Sequence, residues 1–386
     1  MDIVHKGAGD LIKQFEEHEK KNNWGSLFMA IHEISEKQER ELELSCDVPL
    51  APKNIPKNRY CNIVPYDQHL VQLSDIYINA SKLTVPLTNK TYVFTQGPLE
   101  NTSEDFWHMV WEQDCKIVVM LCTFMERNVP KCFPYFPYFD EKVQTFGDFK
   151  LELDDEEDNK NYIVRRLKIT KEGEEDHKIV QHYQYTTWPD FGVPDNVFDF
   201  LEFVEAVRNF DETVNSPIVC HCSAGVGRTG TFTVVDVLIS AIRAKVDEAL
   251  PSIDDLVLYL RKYRMSLVQT PAQLRFSWKA IVEYIKSKAA MIDNEESVED
   301  EENNAVEDVK PEATKARKRR SENNSIAEEA AAQKRDRQKR IDAMKQRQLD
   351  FESRKKARDY WKTVFLSKPV VVGAVVGAVL LYRYFL

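Results

Sequence analysis

The chain has 386 residues and a formal net charge of −10 from 53 basic and 63 acidic side chains; 43% of residues are hydrophobic, 11% aromatic and 30% charged. Twenty Phe, fifteen Tyr and six Trp exclude a chain disordered throughout, and 12 Gly with 16 Pro exclude collagen-like and low-complexity classes. The acidic balance argues against direct nucleic-acid binding, and seven cysteines behind a polar N-terminus without an apolar leader predict a reducing compartment rather than a disulfide scaffold.

In chain order, amphipathic helical patterns open the sequence around residues 11–17 and 27–34. Continuous apolar runs at 117–121 and 218–220 predict strands buried on both faces, which implies an α/β fold with helices packed over a sheet. The last helix of this domain has a legible start, with Thr270 as N-cap, Pro271 in the first turn and Gln273 closing a capping box. There are no internal repeats. One globular domain is expected over residues 1–290. Residues 291–362 read as a charged, mostly disordered linker: nine acidic and no basic residues over 293–309, then seventeen basic against eight acidic over 315–362. Residues 363–386 end in an apolar stretch, PVVVGAVVGAVLLYRYFL. As a helix it is about 27 Å long, which suits a thin endoplasmic reticulum bilayer. Basic residues upstream of it place the globular domain in the cytoplasm.

The stretch IVCHCSAGVGRTGTF at 218–232 carries the chemistry. An apolar strand runs into a loop with two glycines, and the loop into a helix. Small residues let the backbone N–H groups of Ser223, Ala224, Gly225, Val226, Gly227 and Arg228 converge as an anion nest, and the helix adds its positive N-terminal end. The Arg228 fork suits two oxygens of a phosphate. Cys222 stands at the mouth, where the same field favours its thiolate, a nucleophile beneath a bound phosphoryl group. A zinc site at Cys220 and Cys222 has poor spacing, since no second pair follows. Cys115, Cys122, Cys132 and Cys220 read as core filler.

HCSAGVGRTG resembles the signature loop of the cysteine-dependent protein tyrosine phosphatases. NRY (58–60), YINAS (77–81), TQGP (95–98), FW (106–107), TTWPDFGVP (186–194) and QT (269–270) follow the family's order over about residues 50–285. The KNRY, MVWEQ and RMSLVQT stretches look most like the non-receptor group of phosphatase 1B and T-cell phosphatase, and the basic linker and apolar end like the T-cell type. The resemblance implies a single classical phosphatase domain, a twisted mixed sheet flanked by helices, with no cofactor and no metal. It implies that Cys222 forms a phosphocysteine, that Asp190 is the general acid and then base, and that Gln269 positions the hydrolytic water. It implies further that Thr229 hydrogen-bonds the departing thiolate and that Tyr60 and Phe191 wall the phosphotyrosine ring. Glu126 and Lys131 fall in a loop that meets the acid loop. His221 is either a tuner of the thiolate or a satisfied core histidine. Phosphotyrosyl proteins are the implied partners, with receptor or Janus-type kinases and STAT-like factors suggested by resemblance alone. The basic clusters at 317–320 and 334–340 suggest nuclear-import receptors and a nuclear pool once the tail is removed.

Several positions depart from the 1B pattern. Cys61 and Asn62 replace a basic residue and an aspartate after Tyr60, Ile76 an aspartate, Phe136 a tryptophan, and Ser266 a glycine that opens a second phosphotyrosine site beside Arg261. A phosphotyrosine-binding scaffold without turnover is the alternative function, and a dual-specificity or lipid phosphatase the alternative enzyme.

Overall fold

The computed structural model describes residues 2–138, 141–189, 192–214, 216–244 and 250–304. The chain divides into two compact units, Met1–Glu126 with Pro130–Lys315, and Arg127–Val129 with Ala316–Leu386. Of the second, only Arg127–Val129 is described, and there Arg127 and Asn128 take left-handed φ angles of 45° and 62°. The expected linker from 305 onward and the apolar tail lie outside the described residues. No helix among the described residues is long and apolar enough to cross a membrane.

The first unit is built on one eight-stranded sheet. Its strands are β1 (Ala80–Val85), β2 (Lys90–Thr95), β3 (Ile117–Met120), β4 (Val143–Phe146), β5 (Phe149–Asp158), β6 (Tyr162–Lys171), β7 (His177–Tyr185) and β8 (Ile218–His221). Their spatial order is β1-β2-β8-β3-β7-β6-β5-β4. The short strand β8 lies between β2 and β3 and is parallel to both, with Ile218 opposite Tyr92 and Ile117. The β4–β5–β6–β7 arm is antiparallel, so the sheet is mixed as expected.

Alternation along these strands sorts the core into two layers. Tyr92, Phe94, Ile117, Val119, Ile218 and Cys220 join the layer of α1 (Asp2–Lys21), α2 (Trp24–Glu41), α5 (Val197–Val214), α6 (Gly227–Arg243), α7 (Ile253–Arg261) and α8 (Pro271–Asn304). Val93, Val118, Met120 and Val219 face the other way, onto Phe106, Trp107 and Val110 of α4 (Ser103–Glu112). The single turn α3 (Asp47–Leu50) precedes the Tyr60 loop. Every residue of β3 and β8 is buried, because helices cover both faces of the sheet.

The N-terminus of α8 departs from the expected capping box in one respect. Thr270 Oγ1 accepts the Gln273 N–H at 3.1 Å as an N-cap should. The return bond reaches one residue further back: Gln273 Oε1 accepts the Gln269 N–H at 2.8 Å. The box therefore fixes the backbone of Gln269, a candidate site residue. α8 also continues through Asn304, beyond the domain boundary expected at 290.

Candidate active site

Strand β8 leaves the sheet at its centre after His221, and α6 begins at Gly227. The chain between them has to reverse in a few residues. Gly225 permits this, with φ at +72° and a position where any side chain would strike the Thr95 carbonyl. Its carbonyl and its neighbour's point away from the loop mouth, onto Arg264. That fully buried guanidinium donates Nε–H to Gly225 O at 2.9 Å and Nη2–H to Ala224 O at 3.1 Å and Asn79 Oδ1 at 2.9 Å. Gly97 N–H holds a third loop carbonyl, Ser223 O, at 2.9 Å. With carbonyls held outward, the N–H edge of the loop is left for an anion.

Cys222, 6% exposed, sits at the start of this loop, and Gly225 N–H donates to its Sγ at 3.3 Å. Burial opposes ionisation of the thiol. The Thr229 hydroxyl, the Arg228 charge and the Thr229 and Gly225 amides outweigh it, so the Cys222 pKa lies below the ordinary thiol value. Thr229 Oγ1 is buried and makes no hydrogen bond of ordinary geometry, yet it lies close enough to the sulfur to favour the thiolate.

Arg228 is aimed by four acceptors. Its Nη1 donates to Glu126 Oε1 at 2.6 Å and Leu121 O at 3.0 Å, and its Nη2 to Glu126 Oε2 at 2.8 Å and Pro189 O at 3.3 Å. The Trp188 ring lies 5.8 Å from the guanidinium carbon. Burial disfavours the Arg228 charge, but the Glu126 carboxylate overrides it and raises the pKa. Glu126, expected in a loop that meets the acid loop, thus holds Arg228, the arginine expected to bind phosphate.

Tyr60 is fastened to the loop as well. Ser223 Oγ–H donates to Lys131 O at 2.8 Å, so Tyr60 O–H is the donor in its 2.9 Å bond to Ser223 Oγ. Arg59 pins this segment with Nε–H to Gly97 O at 3.0 Å and Nη2–H to Pro98 O at 2.7 Å, and Gln96 Oε1 accepts its backbone N–H at 2.8 Å. Behind Cys222 runs a buried polar chain. His221 Nδ1–H donates to Cys222 O at 3.0 Å, which leaves Nε2 to accept the Tyr135 O–H at 2.6 Å. Tyr135 oxygen then accepts from His182 Nε2–H at 2.8 Å. Burial keeps both rings neutral, with His221 lowered to about 4 and His182 well below its usual value. His221 is therefore a satisfied core histidine whose satisfaction includes the Cys222 carbonyl.

Tyr60, Glu126, Lys131, Cys222, Ser223, Ala224, Gly227, Arg228 and Gln269 line one cavity of about 400 Å³, with Gly192 on its rim. Of the other expected residues, Gly225, Val226 and Thr229 lie buried beneath it. Asp190 and Phe191 lie outside the described residues. Arg261, matched to a second phosphotyrosine site, is buried and committed to backbone carbonyls, Nε–H to Leu267 O at 2.9 Å and Nη2–H to Val268 O at 2.7 Å. Four supporting residues escaped sequence reasoning, namely Arg59, Gln96, Tyr135 and Arg264. Three of them stand inside the quoted NRY, TQGP and RMSLVQT stretches, so the signal was present but not their roles.

Comparison with known proteins agrees with this geometry. A profile described as protein-tyrosine phosphatase matches residues 54–283. The chain is 38% identical over 281 residues to tyrosine-protein phosphatase non-receptor type 2 of Homo sapiens, covering 71% of this chain and 65% of that protein. Against the Mus musculus protein of the same name it is 37% identical over 286 residues, 72% of this chain and 68% of the relative. Receptor-type tyrosine-protein phosphatase C of Homo sapiens is 38% identical over 243 residues, but these are 60% of this chain and 18% of that protein. The chain thus spans about two thirds of the non-receptor relatives and less than a fifth of the receptor type. It belongs to the protein-tyrosine phosphatase family, and among these relatives its longest match is with the non-receptor type 2 proteins.

Proposed function

We propose that the chain hydrolyses phosphotyrosine in proteins through a phosphocysteine. The observation that carries this reading is the Cys222 sulfur, with its lowered pKa, on the floor of a cavity that Arg228 and Tyr60 also line. The Cys222 thiolate attacks phosphorus, the S–P bond forms and the P–O bond to tyrosine breaks. Loop amides from Ser223 to Arg228 and the Arg228 fork hold the equatorial oxygens as charge shifts. Asp190 gives its proton to the leaving tyrosyl oxygen. Water placed by Gln269 then attacks the phosphocysteine, its proton passes to Asp190, and the thiolate leaves with help from Thr229. Tyr60 and Phe191 clasp the ring, and phosphoserine is too short to bring its phosphorus to the cavity floor.

In the cell this activity opposes tyrosine kinases. Receptor or Janus-type kinases and STAT-like factors are the substrates we infer from the family resemblance. We divide the chain into a catalytic domain over 1–290, a charged linker over 291–362 and a tail anchor over 363–386. The apolar stretch and the basic residues before it support an anchor in the endoplasmic reticulum with the catalytic domain cytoplasmic. The basic clusters support import of a form released from the membrane. Alkaline carbonate should fail to extract the whole chain from membranes, whereas a 1–362 form should be soluble and enriched in nuclei.

The full chain assayed on phosphotyrosyl peptides, phosphoseryl peptides and phosphoinositides tests the activity. Turnover should be confined to phosphotyrosine and abolished by Cys222→Ser with binding retained. Asp190→Ala should lower kcat by about 10²–10⁴. Undiminished turnover by Cys222→Ser, or equal rates on phosphoserine, would sink the reading.

A further inference from the structure

Away from the catalytic cavity, α4 and the β4–β5 turn bring two carboxylates and an imidazole together. Ligand atoms of Glu104, His108 and Asp148 all lie within 4.8 Å of one another. Glu104 and His108 stand one helical turn apart and share a face of α4. Asp148 follows Gly147 in the two-residue turn, where Gly147 has φ of +53°. The Glu104 carboxylate lies against Gly147, where a side chain would stand, so it already reaches from the helix to the turn.

This cluster is electrostatically incomplete. Two carboxylates so close repel each other, and no lysine or arginine pairs with either among the described residues. The His108 side chain is 15% exposed and its ring is held edge-on to Phe149 at 4.7 Å. Its Nε2 faces Glu104 and its Nδ1 faces Glu112, each at 4.0 Å, too long for a hydrogen bond. Nδ1 is buried and has no partner of hydrogen-bonding geometry. An imidazole with one nitrogen towards a donor cluster and the other towards a separate carboxylate is disposed as metal-bound histidines are.

The geometry points to a divalent-metal site that takes zinc through Glu104, His108 Nε2 and Asp148, with Glu112 as acceptor for His108 Nδ1–H. One imidazole with two carboxylates is a nitrogen–oxygen donor set that suits zinc, with water as fourth ligand. Tetrahedral ligands at about 2.1 Å stand about 3.4 Å apart, so the side chains close by about 1 Å on binding. Both carboxylates are on exposed residues and are free to make that adjustment. The ion replaces repulsion with attraction and ties α4 to the β4–β5 turn. None of these residues lines the cavity around Cys222, so the site acts on stability and takes no part in the reaction.

The full chain titrated with zinc chloride and, separately, cobalt(II) chloride tests this, with Asp148→Asn and Glu104→Gln beside it. Zinc should raise the Tm of the wild-type chain, and cobalt should give a visible spectrum without a sulfur-to-metal band. Both substitutions are near-isosteric at exposed positions. Each should leave phosphatase activity in chelator unchanged and weaken cobalt binding at least about tenfold. No rise in Tm with zinc, an unchanged cobalt titration in both variants, or a signal made only of the sulfur-to-metal band of Cys222 overturns the site.

Discussion

Arg228 and Glu126 form a two-pronged pair, Nη1 to Oε1 at 2.6 Å and Nη2 to Oε2 at 2.8 Å. The Glu126 side chain is 7% exposed and that of Arg228 12%, so water competes little for either. The carboxylate fixes the plane of the guanidinium before any phosphate arrives, which lowers the ordering cost of binding. Glu126→Ala leaves that plane free to rotate and should lower kcat/KM on phosphotyrosyl peptides by about 10–10². Arg228→Lys loses the fork itself and should cost more, about 10³. Steady-state kinetics on both variants checks the order. A Glu126→Ala enzyme as fast as wild type would make the pair incidental.

Arg264 supports the loop from below, and its own burial lowers its pKa only to about 10, so it is charged at neutral pH. Arg264→Met removes the donor to Gly225 O and Ala224 O and leaves two partly or fully buried carbonyls unpaired. The variant should be destabilised by about 2–4 kcal/mol. The relaxed loop should also hold the thiolate less well, which a shift of Cys222 alkylation towards higher pH reports. Wild-type alkylation with a lowered Tm would reduce Arg264 to scaffold.

The buried histidines give a pH dependence of definite sign. His221 has a folded pKa of about 4 against about 6.5 when unfolded, because burial disfavours the imidazolium. The unfolded chain therefore binds more protons between these values. The contribution of neutral His221 is fully present above pH 6.5 and declines as pH falls towards 4, by about 3 kcal/mol in all. His182 changes in the same direction. Denaturant midpoints measured from pH 7 to pH 4 should fall, and His221→Asn should flatten the slope.

The candidate site's loop was readable in the sequence because its residues are contiguous: residues 218–232 contain strand, turn, cysteine and arginine in one run. The central strands were readable too, since β3 and β8 are buried on both faces and appear as unbroken apolar runs. What was not readable depends on distant pairing. Arg264 meets Gly225 across 39 residues and Arg228 meets Glu126 across 102, and no local period encodes either. The polar chain from His182 through Tyr135 to His221 joins three separate elements, and each member alone reads as core. Arg261 shows the converse: a residue matched by the motif to a second phosphotyrosine site is bonded in the fold to the Leu267 and Val268 carbonyls and to the Ser35 hydroxyl.

Ser266 carries a cost in the segment before Gln269. Its φ is +58°, and Val268, β-branched, follows at +60°. Left-handed backbone costs a side-chain-bearing residue about 1–2 kcal/mol. Ser266→Gly removes that cost and adds freedom to the unfolded chain, which offsets about 1 kcal/mol of the gain. A Tm equal to or slightly above wild type is expected, where Gly would ordinarily lower it. At Val268 the neighbours enforce the strain: Arg261 donates to its carbonyl and Val226 O accepts its N–H at 3.0 Å. Val268→Gly should therefore loosen Gln269 and lower kcat without raising KM in proportion, as measured by steady-state assay. A drop in stability on Ser266→Gly of the usual size would refute the strain argument.

Oxidation should single out one thiol among seven. All seven cysteines are unbridged. Burial, the largest cause in three of the four, raises Cys46 to about 11, Cys115 to about 12 and Cys220 well above the ordinary value; Cys122 rises likewise, chiefly through its contact with Cys132. Cys222 is lowered, in contrast to these four, and it lines the cavity while Cys220, two residues away, is sealed in the sheet. Peroxide reacts with thiolate, so low peroxide should inactivate the enzyme by converting Cys222 to a sulfenic acid that thiol reductants reverse. Cys61 is exposed but stands outside the loop of residues 222–228, which makes it the slower target. Saturating a substrate analogue in the cavity should protect Cys222 and leave the rate at Cys61 unchanged. Mass spectrometry of the chain quenched at half inactivation reads this directly. First oxidation at Cys61 or Cys132, or inactivation that the analogue does not slow, would show that the loop fails to set the reactivity of its own cysteine.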